Sequence, residues 1–223
     1  MNTMNSLLRA LVKRLSLVPL FVLIVGITSA FAQEAGSAIS APDTTWLLVS
    51  TALVLLMTPA LGFFYGGLVR EKNALNTLMM SFVALGIAGV LWPLAGYSLA
   101  FAEGTAFVGD FSLALLNGVG IEGSAVPDLL FMAFQGTFAI ITAALISGAV
   151  VERMRFKAYV LFIAIWSLIV YAPVAHWVWG GGWLDAIGAL DFAGGAVVHV
   201  NAGAAALVAA LVLGTRKDYG RQA

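Results

Sequence analysis

Residues 129–151 read LLFMAFQGTFAIITAALISGAVV, an apolar stretch that lies without a charged side chain between Asp128 and Glu152. A helix needs about 20 such residues to cross the hydrocarbon core of a bilayer. Uncharged stretches long enough to do so also occur at 44–69, 73–102, 158–184 and 192–215. We therefore predict an all-α polytopic membrane protein with five transmembrane helices.

The composition agrees with a membrane protein. Hydrophobic residues make up 61% of the 223 residues and charged residues only 10%, whereas soluble domains carry about 25% charged residues. This excludes a disordered chain, a nucleic-acid-binding surface and an ordinary soluble enzyme. The chain has no cysteine, which excludes disulfides, thiolate metal sites and iron–sulfur clusters.

The charged residues between the stretches separate by sign, and this predicts the orientation. After residue 32, every lysine and arginine follows the first, third or fifth stretch: Arg70, Lys72, Arg153, Arg155, Lys157, Arg216, Lys217 and Arg221. The opposite ends carry only acidic residues: Glu34, Asp43, Glu103, Asp110, Glu122, Asp128, Asp185 and Asp191. Because basic loops stay in the cytoplasm, we expect the N-terminus outside the cell inner (plasma) membrane and the C-terminus inside.

The first 32 residues have the pattern of a signal peptide. A basic segment ends at Arg14, an apolar run follows at 17–27, and Ala32 closes a small-x-small triplet. We predict cleavage after Ala32, which leaves residues 33–223 as one membrane domain. The alternative is an uncleaved first helix.

Polar side chains inside the predicted spans are candidates for function, because burying them in a bilayer is costly. Gln135 and Thr137 lie in the third span, His176 in the fourth, and His199 and Asn201 in the fifth. We expect His176, which stands beside tryptophans near the outer interface, to have a structural role. We interpret His199 as lining a pore or binding a ligand, with a neutral imidazole hydrogen-bonded between helices as the alternative.

Aromatic and acidic residues suggest a cation site at the outer face. If the third and fourth spans adjoin, Phe138 and Trp179 form an aromatic pocket that attracts small cations. Asp191 precedes the fifth span, where its carboxylate can cap free backbone N–H groups or lower the cost of holding a cation. If residues 191–199 are helical throughout, His199 lies about 12 Å deeper.

The fifth span is rich in small residues, which allow helices to pack closely in membranes. Glycine or alanine occupies positions 194–196, 202, 203, 205 and 206. We therefore expect the fifth span to form the centre of the bundle.

Four segments resemble motifs of the ammonium transporter (Amt/Mep/Rh) family, and they occur in the family's order. They are FYGGLVR at 64–70, FQGTF at 134–138, AHWVWGGG at 175–182 and DFAGGAVVH at 191–199. The resemblance extends from about residue 44 to the end of the sequence.

The resemblance implies a transport mechanism with roles for individual residues. Phe138 and Trp179 match the aromatic residues of the family's outer ammonium-recruitment site, and Asp191 matches the aspartate below it. His199 matches the first of two pore histidines. The family captures ammonium, removes its proton and conducts ammonia. The resemblance thus implies a non-enzymatic transporter with no metal and no cofactor.

The resemblance also implies a larger assembly. Family members have about eleven transmembrane helices in two inverted halves, so the five predicted helices match the N-terminal half and the second half is missing. We expect a fragment of a longer protein or a chain that pairs with a second polypeptide. When complete, the family forms homotrimers, and bacterial members are commonly blocked by a PII-type signalling protein.

Two other functions remain open at this point. An ammonium sensor would have the same fold and the same site, with output through a partner. A membrane redox subunit would use His176 and His199 as axial ligands of a b-type haem.

Overall fold

The computed structural model describes residues 39–216 and 219–220, and within them five helices are long and apolar enough to cross a membrane. We number them α1 to α5, with bounds Ala41–Gly67, Glu71–Phe101, Asp128–Val150, Phe156–Ala186 and Gly195–Leu213. The prediction of five spans is confirmed, with ends that differ by a few residues. The predicted signal peptide at 1–32 lies outside the described residues.

Helix α1 begins where a serine can replace the missing helical acceptor. The Ser40 hydroxyl accepts a hydrogen bond from the Asp43 amide at 3.3 Å, and Thr44 Oγ1 donates to the Ser40 carbonyl at 2.8 Å. The first of these contacts satisfies one of the N–H groups that are free at every helix start. Helix α1 ends at Gly67, and α2 begins at Glu71 after a tight connection.

Helix α3, rather than α5, forms the centre of the bundle. In the most apolar window of α3, 61% of the residues are buried, against 17% in the corresponding window of α5. Within the described residues, the prediction that α5 is central is therefore wrong. Several small residues of α5, including Gly203 and Ala204, lie on its exposed side, whereas those of α3 receive bulky side chains from neighbouring helices.

Gly136 illustrates this close packing of α3. A Cβ atom at this position would lie 2.8 Å from Cδ1 of Trp92 on α2. The Trp92 ring is 3% exposed, and its Nε1 donates to the carbonyl of Met132 at 3.0 Å. The absent side chain at Gly136 thus admits an indole that anchors α2 to α3.

Helices α2, α4 and α5 each contain a wider, π-helical turn, at Trp92–Gly96, Ser167–Tyr171 and Gly195–Val200. Such turns are rare and occur frequently at functional sites. The first two turns meet in the core, where the ring centroids of Trp92 and Tyr171 are 6.0 Å apart. The third lies in α5 and carries His199.

Candidate functional site

Helices α3 and α4 bring together the aromatic side chains that the sequence singled out. The ring centroids of Phe138 and Trp179 lie 5.9 Å apart with an interplanar angle of 60°. Phe134 packs edge-on against Phe138 at 5.0 Å, one helical turn earlier on α3. Both Phe138 and Trp179 are half-buried, so they present partly desolvated ring surface.

The indole of Trp179 is fixed by the segment that leads into α5. Trp179 Nε1 donates to the backbone carbonyl of Asp191 at 2.8 Å. This hydrogen bond connects α4, at the residue before its break at 180–182, to the segment that precedes α5. The position of the aromatic pair is therefore tied to the conformation of residues 191–194.

The Asp191 carboxylate caps the first turn of α5. Its Oδ1 accepts from the Gly195 amide at 2.7 Å, and its Oδ2 accepts from the amides of Ala196 and Val197 at 2.8 and 2.9 Å. Gly194 has φ +79°, a left-handed conformation that glycine adopts without strain. This turn allows the carboxylate to fold back over the helix end.

The cap also changes the acidity of Asp191, which lies outside the helix. Partial burial raises the pKa of this carboxyl, but the amides of Val197, Ala196, Gly195 and Gly194 lower it, and the net pKa is below its ordinary value. Asp191 is therefore ionised at neutral pH, and its negative charge stands next to the positive end of α5.

His199 occupies a different position from the one that a continuous helix would give it. The left-handed turn at Gly194 breaks the helix, and the His199 amide donates to the Gly194 carbonyl at 3.0 Å within the π-helical turn. The His199 side chain is exposed on α5 and has no hydrogen-bond partner among the described residues. The assumption of helical geometry over 191–199 is therefore wrong.

The other polar side chains of the spans differ in whether they have a hydrogen-bond partner. Thr137 Oγ1 donates to the Phe134 carbonyl of its own helix at 2.6 Å, so it has a local structural contact. Gln135 Oε1 and Asn201 Nδ2 are buried without a hydrogen-bond partner within the described part of the chain. Asn201 lines an apolar groove between α4 and α5 with a volume of about 460 Å³.

His176 is buried and structurally engaged, as its predicted structural role requires. Its Nδ1 lies 3.0 Å from the Ala100 carbonyl and its Nε2 lies 2.9 Å from the Thr105 carbonyl. These contacts occupy both ring nitrogens, while His199 stands exposed on α5. The geometry thus gives no support to a haem shared by His176 and His199, and the described residues contain no group of three or more potential ligands that could hold a metal ion.

A charged cluster at the opposite, basic face was not predicted. The Glu152 side chain is 1% exposed and accepts from both Nε and a terminal nitrogen of Arg70 at 3.1 and 2.9 Å. It also accepts from Asn73 at 2.6 Å and from Arg216 at 3.2 Å. The hydrogen bonds from Arg70 lower the pKa of Glu152 to about 2, with Asn73 adding to the shift and burial opposing it. The one signal in the sequence was an acid in an otherwise basic loop, and nothing in the sequence linked it to residues far along the chain.

Known proteins resemble this chain over most of its length. An ammonium transporter from Bacillus subtilis (strain 168) is 53% identical over 180 residues, which cover 79% of this chain and 45% of that relative. The crystal structure of Candida albicans Mep2 has a TM-score of 0.74 at 42% identity and covers 80% of this chain and 40% of that one. A solved structure described as a sensor Amt protein has a TM-score of 0.74 at 28% identity and covers 79% of this chain and 45% of that one.

The match is therefore to one portion of longer proteins. The chain spans less than half the length of these relatives. The family model described as Ammonium Transporter Family matches residues 45–223, a range that includes α3, α4 and α5 with all the site residues described above. The chain belongs to the Ammonium Transporter Family.

Proposed function

We propose that this chain forms the N-terminal half of a membrane protein that transports ammonium, and that it contributes the outer capture site and the first pore histidine. The observation that carries the proposal is the Phe138–Trp179 pair, 5.9 Å apart and fixed to Asp191 by the Trp179 indole. Aromatic faces attract small cations most strongly when they are partly desolvated. A half-buried pair next to an ionised carboxylate therefore suits ammonium.

Asp191 supports capture in an indirect way. Its oxygens already accept three backbone hydrogen bonds, so we assign it to shaping the site and to the local negative potential. A direct ligand would have to compete with these amides. The carboxylate sits where it lowers the electrostatic cost of a cation that is losing water.

Beyond the aromatic pair, we propose that ammonium releases its proton and that ammonia continues past His199. Moving an intact cation into an apolar pore is far more costly than moving a neutral molecule. An imidazole offers a hydrogen-bonding group to ammonia along such a path. Hydrated metal cations have no proton to release, so they would be refused at this step.

The remainder of the proposed protein follows from the length of the relatives and from the family's fold. We propose that the exposed side of α5, which carries His199, packs against a second inverted half in a transporter of about eleven helices. We further propose a homotrimer in the inner membrane, with the N-terminus outside, the C-terminus in the cytoplasm and residues 1–32 removed. Control by a PII-type signalling protein from the cytoplasmic side belongs to the same proposal.

Replacing Trp179 tests the capture site. The gene's complete reading frame is expressed in a strain without ammonium transporters of its own, and uptake of labelled methylammonium is measured against concentration. Trp179→Leu removes a cation–π face, and we expect the half-saturating concentration to rise about tenfold. Trp183→Leu is the matched control, because the Trp183 ring packs against Trp177, with the ring centroids 6.0 Å apart, and is not a member of the capture pair. Equal values for Trp179→Leu and wild type would refute the assignment.

Replacing His199 tests the pore step in the same strain. We expect His199→Ala to reduce the maximal uptake rate and to leave the half-saturating concentration near that of wild type, because capture occurs before the histidine. Uptake by His199→Ala at the wild-type rate would remove His199 from the conduction path.

An ammonium sensor is the second candidate, and it is favoured by the structural similarity to the sensor Amt protein. A sensor would bind ammonium at the same aromatic pair without flux. Isothermal titration of the purified complete protein, together with uptake in proteoliposomes, separates the two functions. Binding that depends on Trp179, with no uptake, would establish the sensor and exclude the transporter.

A further inference from the structure

His176, which lies three residues before Trp179, holds α4 to the end of α2 and to the loop that follows α2, which we call the outer loop. The ring of His176 is 2% exposed. Its two nitrogens face the carbonyls of Ala100, at the end of α2, and Thr105, in the loop that follows. One side chain thus joins α4 to two points of the chain outside it.

The backbone of His176 makes a second set of contacts at the same place. Its carbonyl accepts from the amides of Gly180 and Gly182 at 3.1 and 2.9 Å, and these bonds shape the break at 180–182. Directly after the break, the Trp183 amide donates to the Ala106 carbonyl at 2.9 Å. The end of α4 and the loop segment 100–106 therefore form one connected unit, which we call the outer clasp.

Trp179 lies within this unit, but the hydrogen bond of its indole goes to a different segment. Its Nε1 points instead to the Asp191 carbonyl. The orientation of the Trp179 side chain therefore depends on two sets of contacts. Its indole is held by the hydrogen bond to the Asp191 carbonyl, and its backbone is held by the outer clasp. A loss of the clasp leaves the backbone end of Trp179 free to shift relative to Phe138.

We propose that His176 is a positioning residue for cation capture, which fixes the turn 176–179 of α4 through the Ala100 and Thr105 carbonyls so that Trp179 stays against Phe138. This proposal rests on the proposed function of the aromatic pair as the capture site. It goes beyond a packing role, because it assigns to a side chain outside the aromatic pair a specific effect on ammonium affinity.

The chemistry of the two carbonyls explains why a histidine suits this position. A protonated imidazole donates to both oxygens, and a neutral one donates to one of them. A phenyl ring has similar size but no donor, so it would leave the carbonyl of Ala100, whose residue is 0% exposed, without its contact from α4. One charged side chain, Glu103, lines the same cavity as His176.

The test uses the complete reading frame, with uptake kinetics and amide hydrogen exchange measured for each variant. We expect His176→Phe to raise the half-saturating concentration for methylammonium about tenfold, as the loss of a buried hydrogen bond allows, while the maximal rate stays within about twofold. We expect the Trp183 amide to exchange faster in the same variant, since the outer clasp holds it. His176→Gln, which restores a donor, should recover part of the affinity.

Trp177→Phe is the matched control. It removes an indole hydrogen bond of 2.7 Å to the carbonyl of Phe107 in the same loop, but it leaves the contacts of His176 intact. We expect its half-saturating concentration to stay near that of wild type. An equal rise in Trp177→Phe and His176→Phe would overturn the proposal, because it would show that any loosening of the loop has the same effect.

The remaining outcomes separate the proposal from the proposed function. If wild type transports and His176→Phe keeps its affinity, transport stands and the positioning role is wrong. If wild type does not transport, the proposed function fails, and the exchange of the Trp183 amide alone decides the outer clasp. Unchanged exchange in His176→Phe would overturn the clasp in either case.

Discussion

Replacing Asp191 by alanine should destabilise the start of α5, and the size of the effect follows from the three amides that the carboxylate caps. Gly195 and Ala196 are exposed, so their N–H groups regain hydrogen bonds to water when the carboxylate is lost. Val197 is 0% exposed, and its N–H group remains dry and unpaired. The dry amide dominates the cost, because an unsatisfied buried donor loses its full solvation energy.

These terms give an estimate for two variants. For Asp191→Ala we expect a loss of about 2–3 kcal/mol in the free energy of unfolding, mostly from Val197 with a smaller loss of helix capping. Asp191→Asn keeps one oxygen that can serve Ala196 and Val197, as Oδ2 does in the structure. It loses the charge and the bond to Gly195, for which we expect about 1 kcal/mol.

The assay is reversible unfolding of the purified complete protein in mixed detergent micelles, with uptake measured on the same variants. The order wild type, Asp191→Asn, Asp191→Ala in falling stability is the expected result. Equal stability of all three within about 0.5 kcal/mol would refute capping as the role of this carboxylate. If Asp191→Asn is well folded and transports at the wild-type rate, the negative charge does not contribute to capture.

Two further predictions concern parts of the fold outside the site. The pKa of Glu152 is lowered from 4.5 to about 2, so its ion pairs should contribute full stability above pH 4.5 and lose it as the pH falls towards 2. In a series of melting temperatures measured against pH, Glu152→Gln should lack this acid-sensitive component. An identical dependence on pH in both proteins would contradict the assignment. Gly136→Ala should lower the free energy of unfolding by about 1–3 kcal/mol, because the added methyl group overpacks against Trp92. Gly86→Ala on α2, where an added Cβ meets nothing within 4 Å, should leave the stability unchanged or raise it. Equal effects of the two substitutions in the same unfolding assay would show that packing against Trp92 is not the cause.

The sequence predicted those features that charge and composition determine. Charged residues end each apolar stretch, so the number of spans and their approximate limits could be read directly. The capping position of Asp191 could be anticipated because it depends on a local motif at a helix start. The Phe138–Trp179 contact could be anticipated only on the condition that the third and fourth spans adjoin, and in the structure the two ring centroids lie 5.9 Å apart.

The arrangement of the helices could not be predicted in the same way. Lipid and protein interior are both apolar, so the spacing of hydrophobic residues does not distinguish a central helix from a peripheral one. Small residues are frequent in both α3 and α5. The structure distinguishes the two helices, because Trp92 packs directly against Gly136 of α3 and more of α3 than of α5 is buried. The π-helical turn that carries His199 was missed for a related reason, since it depends on the left-handed turn at Gly194.

The two ends of the proposed path differ in what holds them in place. Phe138, Trp179 and Asp191 are fixed by contacts within this chain: a ring contact, an indole hydrogen bond and three capped amides. His199 has no hydrogen-bond partner among the described residues and stands exposed on α5. An imidazole facing hydrocarbon is costly, so the partner of His199 must come from whatever packs on this side of α5. For the proposed transporter, we therefore expect the capture site to take its geometry from contacts within this chain and the proposed pore at His199 to require both halves.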